Sequence, residues 1–142
     1  MTSWKDYGRQ IRSFAKACTS LGCTSRAGVA IMGFNSPEWA VAYFGAICND
    51  MVSTGIYGTN APEACLYQTQ HSDAEIVVLE TVDMLKRFTV NLDQLPKVKA
   101  FVVWGESKLP DEFQGSRYFT WKDFMGLGGA IGDDVIQQKM DK

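Results

Sequence analysis

Short apolar runs separated by helix-length segments set the strongest limit on how this chain can fold. GVAIMGF (28–34) is apolar with turn residues on both sides, the pattern of a strand buried on both faces. MVSTGIY (51–57), AEIVVLE (74–80) and KAFVVW (99–104) read as three further strands. The segments between them carry helical signals. Ser36 as cap and Pro37 in the first turn open a helix through about Asn49. Asn60, with Glu63 three residues on, starts another that runs to about His71, with Pro62 tolerated in its first turn. Over 82–95, Val82, Leu85, Phe88, Leu92 and Leu95 share one helical face. Alternating helices and mostly parallel strands predict an α/β fold.

The ends follow the same logic. Before the first strand, Tyr7, Ile11, Phe14, Cys18 and Leu21 recur at three- and four-residue steps, with Ser3 as cap, Asp6 in the first turn and Gly22 as the stop. Thr120 and Asp123 repeat that helix start, and Phe119 is placed to staple onto Phe124. From Gly105 to Arg117 the chain is polar and reads as loop, and GLGGAIG (126–132) reads as a flexible break before a polar helical tail. The expectation is one compact unit with a looser, loop-rich tail over 105–142.

One helix stands apart. Trp39, Ala40, Val41, Ala42, Tyr43, Phe44, Ala46 and Ile47 leave the second helix without a polar face, so it is predicted to be buried on most sides. A chain of 142 residues has little material with which to cover it.

Several function classes find no support. The longest apolar run, Trp39 to Cys48, is 10 residues, about half of a membrane span. MTSWKDYGRQ lacks the cationic start and apolar stretch of a secretory signal. A net charge of −2 argues against a general binder of nucleic acid or anionic membrane. No Lys or Arg occurs between Ala27 and Leu85, so that region offers no side-chain cation to grip a phosphate. Cys18, Cys23, Cys48 and Cys65 show no paired metal-ligand spacing, and the single histidine, His71, lies six residues past Cys65. Free thiols in a reducing compartment are the corresponding reading.

Three glycine-containing turns invite a nucleotide reading. In GFNSPEW (33–39), Pro37 removes an amide and Glu38 sets a negative charge where an anion would sit. STGIYGTN (53–60) is interrupted by Ile56 and Tyr57 and lacks a lysine, although Tyr57, Thr59 or Asn60 could still touch a ligand as part of a wall. GLGGAIG matches neither glycine fingerprint. His71 reads as a helix-end residue, and no serine sits in a GxSxG context. No catalytic, cofactor-binding or metal-binding residue is assigned from the sequence.

Taken together, GFNSPEW, GAIC leading to GIYGTN, EAC, and HSDAEIVVLE ending at residue 80 resemble the N-terminal part of the bubblegum-type long-chain acyl-CoA synthetases. That family lies within the adenylate-forming, or AMP-binding, superfamily. The resemblance runs from SWKDY to FTWKDFMGLG. It implies that residues 1–142 are an incomplete part of an AMP-binding domain. The parent would use ATP, Mg²⁺ and CoA to turn a fatty acid into an acyl-adenylate and then a thioester. The family's Ser/Thr/Gly-rich phosphate loop, ribose-binding Asp and catalytic Lys have no counterpart in this sequence. The chain is therefore expected to be a non-catalytic scaffold that binds none of these molecules alone. Its implied partner is the remainder of the parent chain. A cytoplasmic location follows, with peripheral membrane contact left open for the intact enzyme. The alternative is a flavodoxin-like binding module that functions as it stands.

Overall fold

Gly28–Met32 (β1), Val52–Ile56 (β2), Ala74–Leu79 (β3), Ala100–Val103 (β4) and Tyr118–Thr120 (β5) form one sheet in the computed structural model. Their order is β2-β1-β3-β4-β5, and every neighbouring pair is parallel. The structure describes residues 4–33, 36–113, 117–129 and 131–140. Ser3, Phe34 and Asn35, each part of an expectation above, lie outside those residues. The helices are Trp4–Ser20 (α1), Pro37–Cys48 (α2), Pro62–His71 (α3), Val82–Thr89 (α4), Trp121–Met125 (α5) and Asp133–Met140 (α6).

Both faces of the sheet are covered, which explains why its inner strands are apolar except for Glu75. Val29, Ile31, Ile76, Val78, Ala100 and Val102 turn to one side, against Phe14 of α1, Val41 of α2 and Phe124 of α5. Ala30, Met32, Val77, Leu79, Phe101 and Val103 turn to the other, against Cys65 of α3 and Leu85 and Phe88 of α4. At the start of β3 the pairing steps from Gly28↔Ala74 to Val29↔Ile76, so Glu75 is an extra, bulged residue. Its carboxylate is mostly buried and accepts a 2.9 Å bond from the Thr24 N–H, which ties the α1–β1 turn to the sheet.

Most local signals hold. The Ser36 hydroxyl accepts from the Trp39 N–H at 3.2 Å, and Pro37 begins α2. Thr120 caps α5 through the Asp123 N–H at 3.3 Å, and the Phe119 and Phe124 rings lie 6.0 Å apart in the expected staple. α1 ends at Gly22 (φ +71°), with Gly22 N–H to Thr19 O at 3.0 Å and Cys23 N–H to Cys18 O at 3.2 Å. This pair of bonds is a Schellman motif, and it needs the left-handed residue that glycine supplies.

Two expectations about helix ends are corrected, and two features lay beyond the sequence reading. The N-cap of α3 is Ala61, with no side-chain bond, and not Asn60. α4 stops at Thr89, where Thr89, Val90 and Asn91 are all weak helix formers, and Leu92–Gln94 continues as a single 3₁₀ turn. β5 went unread because three residues carry too little periodicity to register. The final helix is docked: Ile136 is fully buried, and α6 packs on α1 and α2. Gly128, in the turn between α5 and α6, lets that turn pass close over α1, since a Cβ there would lie 2.3 Å from Lys16 Cβ.

Candidate functional site

The strand order reverses between β1 and β3. In open α/β sheets such a reversal leaves a crevice beyond the carboxyl ends of the strands, where ligands gather. Here it is filled. Gly33 follows β1 at φ +150°, and a Cβ on it would stand 2.6 Å from the Trp104 ring and 2.8 Å from Glu80 Cβ. Backbone bonds carry the pairing past the strands, with Glu80 N–H to Met32 O at 3.1 Å and Gly105 N–H to Glu80 O at 2.8 Å.

Open space lies one strand outward, over the ends of β1 and β2. A cavity of about 590 Å³ is lined by Gly33, Trp39, Gly55, Ile56, Tyr57, Gly58, Thr59 and Met84. Trp39 is held by stacking on Tyr43, with ring centroids 5.5 Å apart. Met84 arrives from the first turn of α4, where the Thr81 hydroxyl accepts its N–H at 3.2 Å. Tyr57 is 79% exposed and forms the outer lip. Among the described residues the wall carries no carboxylate, histidine or lysine.

One cation does approach this site. Arg87 of α4 donates through Nη1 to the carbonyl oxygens of Gly58, at close range, and Asn60, at 3.3 Å. It thereby fixes the β2–α3 loop from 29 residues away. Beneath that loop the Cys65 thiol also reaches the Asn60 carbonyl, at 3.7 Å. Burial pushes the Cys65 thiol up from its ordinary value, and Arg87 opposes the rise. Cys48 is raised the same way, with Arg12 opposing. Thiols in this condition are poor nucleophiles.

A smaller cavity of about 310 Å³ sits at the amino ends of β3 and β4, between Thr69, Asp73, Gln94 and Lys97. It is the wrong end for ligands in this sheet class. Its polar groups pair with one another: Lys97 Nζ meets Asp73 at 3.0 Å, and Gln70 Nε2 donates to Gln94 O at 3.0 Å.

Of the residues weighed from sequence, Tyr57 and Thr59 do line the larger cavity, whereas Asn60 turns its carbonyl to Arg87 and Cys65. His71 is exposed at the end of α3 and stacks on Tyr67 at 5.6 Å. The four cysteines are unpaired in disulfides. No cluster of three or more His, Cys, Asp or Glu that could hold a metal occurs among the described residues. Sequence reading missed Trp39, Ile56 and Met84 as wall residues and Arg87 as the loop's anchor. The available hint was the pair Gly55 and Gly58 flanking a strand end, since glycine there signals close approach.

Strand order alone does not choose between a ligase and a flavodoxin-like module. The family profile described as AMP-binding enzyme matches residues 1–124. The chain belongs to that family. It is 41% identical over 138 residues to the long-chain-fatty-acid–CoA ligase ACSBG2 of Xenopus laevis, covering 96% of this chain and 18% of that protein. It is 32% identical over 139 residues to ACSBG1 of Homo sapiens, covering 98% and 19%. Two solved structures share the fold. Anthranilate CoA ligase AuaEII in complex with anthranoyl-AMP superposes with a TM-score of 0.74 at 19% identity, over 85% of this chain and 22% of that one. A mutant form of coronafacic acid ligase from Pectobacterium brasiliense gives 0.75 at 13% identity, over 87% and 24%. Thus the chain spans about a fifth of the length of the curated relatives it matches, and the resemblance to bubblegum-type acyl-CoA synthetases holds along nearly all of it. Among the described residues no helix is long and apolar enough to cross a membrane.

Proposed function

We propose that this chain supplies strand-and-helix framework for the N-terminal domain of a long-chain fatty acid–CoA ligase. Residues 1–142 form an incomplete part of that domain, and 105–142 lead toward the segment where the intact enzyme carries its phosphate loop. The reaction assigned to the intact enzyme joins a fatty acid to AMP at the expense of ATP, with Mg²⁺, and then passes the acyl group to CoA. Cytoplasmic location and any peripheral membrane contact belong to that intact enzyme.

One observation carries the scaffold reading. The cavity at the carboxyl ends is walled by Trp39, Ile56, Met84 and glycines, and its nearest guanidinium donates to loop carbonyls. With no carboxylate in that wall and no metal-ligand cluster among the described residues, these groups alone fit neither Mg²⁺ nor a polyphosphate. The β2 edge of the molecule presents an apolar margin. Phe44 and Ile47 on α2 are 49% and 51% exposed, and Val52 on the outer strand β2 is 50% exposed. Apolar groups grouped along a free sheet edge suit further chain packing on them.

Calorimetric titration of the purified protein with ATP tests this reading. No binding heat is expected, nor any thioester from palmitate, ATP and CoA. Micromolar ATP binding would overturn the scaffold assignment. A cooperative monomeric melt without uptake of a hydrophobic dye would favour the self-sufficient binding module instead.

A further inference from the structure

β2 closes one side of the sheet and leaves one side of its own backbone open. The Val52 N–H donates to Ala27 O, just before β1, at 3.0 Å. Val52, Thr54 and Ile56 therefore turn their backbone groups to β1. Those groups alternate along a strand, which leaves the N–H and C=O of Ser53 and Gly55 facing outward. Among the described residues no other strand or loop takes them up. A row of this kind is a template for a further strand. The usual guards are missing, since Val52–Ile56 holds no charge and no proline and pairs with β1 without a bulge.

Side chains of β2 divide between the two faces. Ser53 and Gly55 lie under α2: the Ser53 hydroxyl donates to Tyr43 O at 2.8 Å, and a Cβ on Gly55 would meet Trp39 at 3.7 Å. Val52, Thr54 and Ile56 lie on the other face, where Ile56 is buried, Thr54 half-buried and Val52 exposed. This strand complements itself. A second copy, turned about a two-fold axis at Thr54, runs antiparallel, and Ser53 of each copy lies opposite Gly55 of the other. Those two pairs exchange about four backbone hydrogen bonds. Thr54 meets its own copy, a favourable cross-strand pair, and Val52 is covered by Ile56. Asp50, the carboxylate nearest the strand in sequence, falls opposite Gly58, so the register sets no like charges face to face. An antiparallel neighbour at the edge of a parallel sheet is common. Only a two-fold arrangement uses the same edge twice and closes on itself.

We propose that two copies of this protein join through their β2 edges, antiparallel, with the two-fold axis at Thr54. The two five-stranded sheets become one of ten strands. Phe44 and Ile47 of each α2 border the seam on the α2 face. The strand contact is short, so the association is weak, and at low concentration the margin stays open. This inference rests on the geometry of β2 and is independent of the ligase reading.

Sedimentation equilibrium of the purified protein tests it. Monomer is expected at about 1 μM and mostly dimer at about 300 μM, as for a small interface. Amide exchange at Ser53 and Gly55 should slow several-fold between those concentrations. Thr54→Lys places two cations on the axis and Thr54→Glu two carboxylates, so each should weaken pairing about tenfold. Mixed in equal amounts, the two variants should recover the dimer, because an ammonium then faces a carboxylate. That recovery separates pairing from folding and fixes the register. A monomer at every concentration would overturn the proposal and leave the edge to a strand from a longer enzyme. Species larger than a dimer would overturn it too, as the mark of an open-ended contact. So would a dimer indifferent to both Thr54 variants, or one in which the Ser53 and Gly55 amides exchange as fast as in the monomer.

Discussion

β3 and β2 belong to one sheet and run parallel, yet they live in different surroundings. All six residues of β3 are buried, whereas in β2 only Ile56 is. β3 pairs on both sides, with β1 and β4, and lies between two helical layers. β2 pairs with β1 alone and leans on α2, with the Ser53 hydroxyl donating to Tyr43 O at 2.8 Å. Their compositions follow suit, AEIVVL against VSTGI. Natural edge strands are usually protected by charge, proline or bulges. This one carries none of these, and beside it stand Phe44 and Ile47. The contrast teaches that the interior of this unit is closed on both faces, while its β2 margin leaves an unpaired strand edge and apolar side chains exposed.

Three experiments would break or sharpen that contrast. The largest effect is expected at the interior. Phe101 in β4 is fully buried between Phe88, 6.3 Å away, and Tyr118, 5.7 Å away, with the Arg117 guanidinium over its ring. Phe101→Ala should lose about 3–5 kcal/mol in denaturant unfolding. A loss near zero would show that the interior is not packed as described.

A glycine pair gives an intermediate effect. At Gly105, past the end of β4, a Cβ would lie 2.1 Å from the Glu80 carbonyl oxygen, so Gly105→Ala should cost about 1–3 kcal/mol. At Gly55 on β2 the same atom would meet only Trp39, at an ordinary 3.7 Å. Gly55→Ala should therefore leave stability unchanged or raise it by up to about 1 kcal/mol. Equal penalties, read from urea midpoints, would remove the distinction between the two regions.

The smallest stability effect is expected at the margin itself. Phe44→Ser with Ile47→Ser should shift stability by less than about 1 kcal/mol, yet clearly reduce hydrophobic-dye fluorescence. Unchanged dye signal would mean the apolar surface lies elsewhere.

How much of this was legible in the residues varies by the range of the signal. Ser36, Thr120 and the Phe119–Phe124 staple were readable because each acts within one helical turn. The start of α3 misled because Asn60 has the right side chain, while the chain enters the helix one residue later and uses the Asn60 carbonyl elsewhere. The absence of Lys and Arg between Ala27 and Leu85 suggested a region without cations. Arg87 lies just outside that window and folds back across it to Gly58. The cavity wall joins Gly33 to Met84 across 51 positions, a separation that no local pattern encodes.

Residue order, read alone, settles where β1 to β4 form, roughly where the helices lie and that the inner strands are apolar on both faces. All of these follow from backbone geometry repeating every two or every 3.6 residues. Only packing in three dimensions closed the β1–β3 crevice with Trp104, opened the cavity over β2, seated α6 and brought Arg87 to the loop. Those outcomes depend on side-chain volumes and bonds between distant segments, which meet only once the sheet has assembled.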